Sequence, residues 1–345
     1  MKKVFVGFAA LALIVTACSK DEISEQEITQ QQIIKENGEI TGKARACHSD
    51  YNLKKQLEEN PELANKLAAI ESKTKRFVDS KRPGNGNGNG GGGNGGGGGD
   101  EPATDFPVVN IPVYVHVIYN TSQENISDAQ INSQMAVLNK DFRMTNSDAN
   151  QIPNEFADRA ADTQINFTLA GVTRTFSSRT SWGTRDDMKK SSQGGVDPID
   201  PANYLNMWVC NIGGGILGYA QFPGGSPDTD GVVIAPQYFG TQGYVAAPFD
   251  GGRTTTHEVG HYLNLRHIWG DGRCRQDDFV IDTPSSDRAN YGCPAYPTTH
   301  CKSTDMTMNY MDYVDDACMY MFSNGQKLRM RAVLEAGGAR ESLAN

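Results

Sequence analysis

His257-Glu258-Val259-Gly260-His261-Tyr262-Leu263-Asn264-Leu265-Arg266-His267 holds three histidines and one glutamate in a short span. His257 and His261 are four apart, so on a helix they share one face and can hold one metal ion. Glu258, beside the first of them, reaches a water on that metal without being a ligand itself. Zinc lowers the pKa of such a water to about 7, and the glutamate then serves as general base. A third protein ligand is needed, and His267 supplies it only if the helix ends first. In a continuing helix it would lie six residues, or about 9 Å, beyond His261 along the axis. The turn falls on Asn264. Glycine adopts the required left-handed conformation at least cost, and asparagine is the usual substitute. Two histidines, a glutamate and a further suitably spaced histidine form a zinc signature that a core or surface histidine does not imitate.

The rest of the chain frames this motif. Its formal net charge of −9 over 345 residues argues against nucleic acid as a partner, because phosphate binding needs clustered Lys and Arg. Lys2 and Lys3 precede an apolar run from Val4 to Val15 that is too short to span a bilayer, which is the pattern of an export signal. Val15-Thr16-Ala17-Cys18 resembles a bacterial lipobox, so Cys18 is expected to be lipidated, with residues 1–18 as the lipoprotein signal. An ordinary cleaved signal is the alternative. The expected location is the outer membrane or cell surface by that anchor, with release to the medium after activation. Nothing in the sequence calls for more than a monomer.

Residues 84–99 contain only Gly and Asn, the composition of a flexible linker. The linker region, 83–105, divides a small segment, 19–82, from a larger domain, 106–345. In the small segment Leu53, Leu57, Leu63, Leu67 and Ile70 recur at near-helical intervals, broken at Asn60-Pro61. In the large part, Val108–Tyr119, Ile165–Ala170, Leu205–Ile212 and Val232–Pro236 read as strands. A helix follows the first, with Ser127 and Gln130 as a capping box and Ile131, Met135, Leu138 and Phe142 as its buried stripe. A second helix, Thr254–Leu265, has threonines available as caps, and a last one runs from about Gly325 to Glu335. Mixed strands and helices in this order predict an α+β domain.

HEVGHYLNLRHIWGD (His257–Asp271), Met308-Asn309-Tyr310-Met311-Asp312-Tyr313 and the following DDACMYMF resemble the pappalysin family of metzincin metalloproteases, in particular its bacterial ulilysin- and mirolysin-like branch. Asn264 departs from the general metzincin glycine but is accepted in that branch. The resemblance implies zinc on His257, His261 and His267, with Glu258 as base. Met311 becomes the methionine of the Met-turn beneath the metal, and Tyr313 a stabiliser of the oxyanion. It implies disulfides Cys274–Cys301 and Cys293–Cys318; four cysteines allow three pairings, and a structural zinc site is the rival. It further implies structural calcium at Asp278 and Thr283, where the bland reading is a solvated acidic turn.

Cys47, upstream of the linker, is the candidate latency switch, since a thiolate on the zinc would displace the catalytic water. The bacterial pappalysins resemble this arrangement, although His48 stands where Gly often follows the switch cysteine. The alternatives are a free thiol or a pairing with Cys210, itself read as a buried core thiol. His116 and His300 read as structural. The expected activity is zinc-dependent endopeptidase cleavage of protein or peptide substrates by a latent zymogen, with activation and release from the membrane as one event. A non-catalytic surface adhesin on the same fold is the alternative, which an intact Glu258 disfavours. A zinc peptidase with a downstream glutamate ligand is disfavoured by His267 and Met311. The prime-side pocket wall is expected between Tyr313 and Phe322, where Asp315, Asp316, Met319 and Met321 point to different preferences.

Overall fold

A proline decides the shape of the N-terminal part. Pro61 cannot donate within a helix and biases Asn60 toward extended backbone. Asn60 accordingly sits at φ −138°, between α1 (Ser49–Glu59) and α2 (Glu62–Lys81). The computed structural model describes residues 44–81 and 106–344. The expected signal, Cys18 and the Gly/Asn linker lie outside the described residues. Leu53 and Leu63, with Leu57 and Leu67 beside them, pack on Phe222 of the larger domain.

The larger domain is built on a five-stranded sheet of order β2-β1-β3-β5-β4, comprising β1 (Val109–Tyr119), β2 (Ile165–Phe176), β3 (Leu205–Val209), β4 (Gly218–Ala220) and β5 (Val232–Ile234). All neighbours pair in parallel except β4, which runs antiparallel to β5 at the edge. Ile111, Val113, Val115 and Val117 alternate along β1 and are fully buried. Among them His116 hydrogen-bonds Thr173 and Asn206, a structural role. Cys210 is a buried free thiol.

β2 runs six residues past the expected end, because Gly171 reads as a break and is instead a point of close approach. A Cβ there would lie 2.3 Å from the Tyr114 ring. β3 stops at Val209, earlier than expected, and β4 was not foreseen, being three residues flanked by turns.

Helix α3 (Asp128–Phe142) is capped by Ser127, whose hydroxyl accepts from the Gln130 amide. The expected reciprocal bond is replaced. The Gln130 side chain donates to the carbonyls of Pro236, Phe239 and Tyr244 and so ties down the loop leading to the zinc motif. Helix α4 (Arg253–Tyr262) packs on α3, β4 and β5. Its N-cap is Gly252 and not a threonine. Thr254, Thr255 and Thr256 lie inside the first turn, where Thr255 and Thr256 donate to Gln134 and Asp141. Asp316 accepts the free Arg253 amide instead. Beyond α4 come four two-residue strands, β6 (Tyr291–Gly292), β7 (Thr299–His300), β8 (Ser303–Thr304) and β9 (Tyr313–Val314). The last helix is α5 (Asn324–Leu334), whose Ser323/Gln326 capping box is complete. His300 pairs with Asp305 in this region.

Candidate active site

Helix α4 ends in a Schellman turn. Leu265 N–H donates to Gly260 O and Asn264 N–H to His261 O, both at 2.9 Å, and Asn264 takes φ +75°. This reversal brings His267 back over the helix end. The Nε2 atoms of His257 and His267 lie 3.2 and 3.1 Å from that of His261. Nitrogens bound at about 2.0–2.1 Å around a tetrahedral zinc would lie roughly 3.3 Å apart.

The opposite ring nitrogens explain the orientation. His257 Nδ1–H donates to Tyr310 O at 2.7 Å and His261 Nδ1–H to Leu265 O at 2.9 Å. Carbonyls only accept, so both Nε2 lone pairs point into one spot, an arrangement that suits a cation and repels itself without one. Burial, and then the neighbouring imidazoles, hold His257 well below its usual range, and His261 is pushed down to about 3 by burial and by His267. Burial opposes charge on His267, but the Asp271 and Asp50 carboxylates raise it well above its ordinary value. Met311 lies under the helix. A Cβ on Gly260 would come within 2.4 Å of its sulfur, so a larger residue between the two helical histidines would displace Met311.

The N-terminal segment lies across this cluster. It runs parallel to the edge strand β4, with Leu217 N–H donating to Ala46 O and His48 N–H to Gly218 O. The Cys47 sulfur and the three histidine nitrogens lie within 4.8 Å of one another. The thiol is pushed up to about 12 by burial and by Glu258. Ser49 was not singled out in the sequence. Its hydroxyl donates to Glu258 Oε2 at 2.8 Å while accepting from Ala220 N–H at 2.8 Å. Burial pushes Glu258 up to about 7, against the lowering effect of the Ser49 and Cys47 bonds. The Tyr313 hydroxyl donates to Cys47 O at 3.3 Å, and burial raises its pKa well above the phenol range.

Arg45 fills a pocket beside the cluster. The residue is 2% exposed, and its guanidinium ion-pairs with Asp316, donates to Val314 O and Thr254 Oγ1 at 3.2 Å and lies over the Phe249 ring. Of the two acids expected along this wall, Asp316 therefore faces the pocket. Farther along the segment, Glu71 makes a two-pronged pair with Arg329 at 2.8 Å, and Asn264 Nδ2 donates to Thr74 at 3.3 Å.

Asp278 is buried next to a cavity of about 270 Å³ lined also by Gln276, Asp277, Thr283 and Ser285. The Thr283 hydroxyl donates to its Oδ2 at 2.8 Å, and burial pushes the carboxyl up to about 8. The disulfides are Cys274–Cys301 and Cys293–Cys318, and Cys47 remains a free thiol.

The family model described as pregnancy-associated plasma protein-A (Peptidase_M43) matches residues 190–335. An extracellular metalloprotease of Arthroderma benhamiae is 34% identical over 248 residues, 68% of this chain and 76% of the relative. The chain belongs to this peptidase family. Among solved structures, mature mirolysin of Tannerella forsythia in complex with a cleaved peptide is 46% identical at a TM-score of 0.68, over 69% of this chain and 96% of that one. A point mutant of promirolysin from the same organism is 40% identical at a TM-score of 0.75, and the match extends to 87% of this chain and 97% of that one. The longer match to the zymogen form takes in more of this chain than the match to the mature enzyme. The fold is the mirolysin-like metzincin fold, and the chain is a metalloendopeptidase made in latent form.

Sequence reading missed Arg45, Ser49, Asp50 and Asp271. The first three flank Cys47, and their partners are 171 or more positions away. Only Asp271, four residues after the third histidine, left a local signal.

Proposed function

We propose that residues 106–345 cleave peptide bonds with zinc held by His257, His261 and His267 and with Glu258 as general base, and that residues 19–82 keep them latent. The convergence of the Nε2 atoms of the three histidines beside one buried carboxylate carries this reading. Zinc there supplies Lewis-acid polarisation of the scissile carbonyl and activation of water. Glu258 accepts the proton of the attacking water and delivers it to the leaving amine. Tyr313 stays protonated and donates to the developing oxyanion. Met311 provides the apolar floor. The substrate pairs with β4, and a basic side chain following the scissile bond takes the place of Arg45 on Asp316.

Latency is the work of Cys47 on the metal, with Ser49 occupying the base. Calcium binds at Asp278 and Thr283, whose oxygens at 2.8 Å are close enough to share one ion. Export fits relatives named as extracellular, and the resemblance of Val15–Cys18 to a lipobox supports a lipid on Cys18 that anchors the zymogen in the outer membrane.

The test is casein hydrolysis by activated protein with and without a zinc chelator, beside Glu258→Ala. Wild type should lose activity to the chelator and regain it with zinc, while the variant stays inactive. Equal, chelator-insensitive activity in both would refute the mechanism.

A further inference from the structure

The three histidines are not held alike. His257 and His261 donate to main-chain carbonyls, whereas His267 Nδ1 faces two carboxylates, Asp271 at 2.5 Å and Asp50 at 3.2 Å. Asp50 belongs to the N-terminal segment. Asp271 belongs to the same turn as His267. Gly270 N–H donates to His267 O at 2.9 Å, and Gly270 and Asp271 both take positive φ, 61° and 55°. The reversal swings the carboxylate back onto the ring. A Cβ at Gly270 would lie 2.9 Å from Asp277 N, so the turn has no room for a larger residue. Trp269 stacks on the imidazole at 4.4 Å and 3° from parallel. The ring is thus fixed on its face by an indole and at Nδ1 by a carboxylate.

We infer that Asp271 is a positioning residue for the metal site: it holds His267 in the Nδ1–H form, aims Nε2 and makes that nitrogen the strongest donor of the three, while Asp50 is a second acceptor present only as long as the segment is docked. The inference rests on the zinc-peptidase reading. A carbonyl fixes a tautomer as well as a carboxylate does, but it brings no charge. A carboxylate accepting from the imidazole raises the basicity of the opposite nitrogen, and loss of such a partner costs about 10- to 100-fold in metal affinity.

The experiment uses the full chain in a Cys47→Ala background, which removes the competing thiol. Zinc affinity of the apoprotein is measured against a chromophoric chelator, and the cobalt(II) form is examined by visible spectroscopy. Near-ultraviolet circular dichroism checks folding. Asp271→Asn should weaken zinc binding at least tenfold and shift the cobalt bands. Asp271→Glu, which keeps a carboxylate, should recover most of the affinity, and Asp50→Asn, which removes the longer of the two contacts, should cost less than Asp271→Asn. Asp271→Asn binding as tightly as its parent would overturn the inference, as would an equal loss from Asp50→Asn. A parent that binds no zinc would overturn the zinc-site reading itself, a result distinct from either.

Discussion

Asn264→Val strikes the backbone turn that delivers His267, the third of the proposed zinc ligands, and touches none of the three. Asn264 sits at φ +75°, where its amide and that of Leu265 close the helix. An ordinary L-residue pays about 1–2 kcal/mol for this conformation, and a branched Cβ lies at the upper end. The variant also loses the bond from Nδ2 to Thr74, worth about 0.5–1 kcal/mol. The sum is about 2–3 kcal/mol. At about 1.4 kcal/mol per decade, that is roughly 30- to 150-fold in zinc affinity if the apoprotein relaxes the strained turn. If the apoprotein keeps the turn, the same energy appears as lost folding stability. Both quantities are therefore measured, affinity by chelator competition and apoprotein stability by denaturant titration. Asn264→Gly is the control, since relief of strain offsets the lost side-chain bond, and it should stay close to wild type in both. A valine variant matching wild type in both measurements would refute the account of how His267 reaches the metal.

Ser49→Ala should raise the basal activity of the uncleaved zymogen, and combination with Cys47→Ala should raise it further, read with a fluorogenic peptide; a double variant as silent as wild type would show that neither contact maintains latency. Asp316→Asn should lower kcat/KM for peptides with arginine after the scissile bond by about 10- to 100-fold relative to peptides with leucine there, the loss expected for a charge-assisted bond. An unchanged ratio would separate Asp316 from specificity. Calcium should raise the melting temperature, and Asp278→Ala should abolish the rise. Because Asp278 titrates near pH 8 without the ion, it is largely protonated below that pH and must lose its proton to bind. The calcium effect should therefore grow from pH 6 to pH 8, and a constant effect would exclude this carboxylate as ligand.

The α4 motif, the asparagine turn and the α3 stripe depend on spacing within one or two helical turns. The errors have a common cause, since they lie where a side chain serves a distant partner. Gln130 looks like half of a capping box, yet its amide is more useful to three loop carbonyls. Thr254 to Thr256 look like caps but are buried, and Asp316, over sixty positions away, takes the helix amide. Edge strand β4 has three residues and no alternation to reveal it, although the N-terminal segment lies along it. Arg45 and Asp316 form a buried ion pair, but nothing in the sequence joins positions 45 and 316.

The docked segment bears on the expectation that activation and release from the membrane are one event, because a cut in the linker region leaves its contacts in place. Its far end stays on the larger domain: the Phe77 and Phe106 rings stack at 6.0 Å, and Lys81 lies over Phe106 at 5.3 Å. Lys81 and Phe106, the described residues on either side of the linker region, thus lie side by side, and a cut between them removes none of the contacts of Arg45, Cys47, Ser49 or Glu71. What the cut removes is the tether, which for a chain of this composition holds its partner at an effective concentration on the order of millimolar. A nicked zymogen should therefore remain latent at high protein concentration and gain activity on dilution, or after a second cut within residues 44–81. The assay nicks the linker to completion and follows peptide hydrolysis across a dilution series, with gel filtration reporting whether the segment is bound. Activity that tracks linker cleavage one for one at every concentration would mean that the tether, and not the docked contacts, maintains latency.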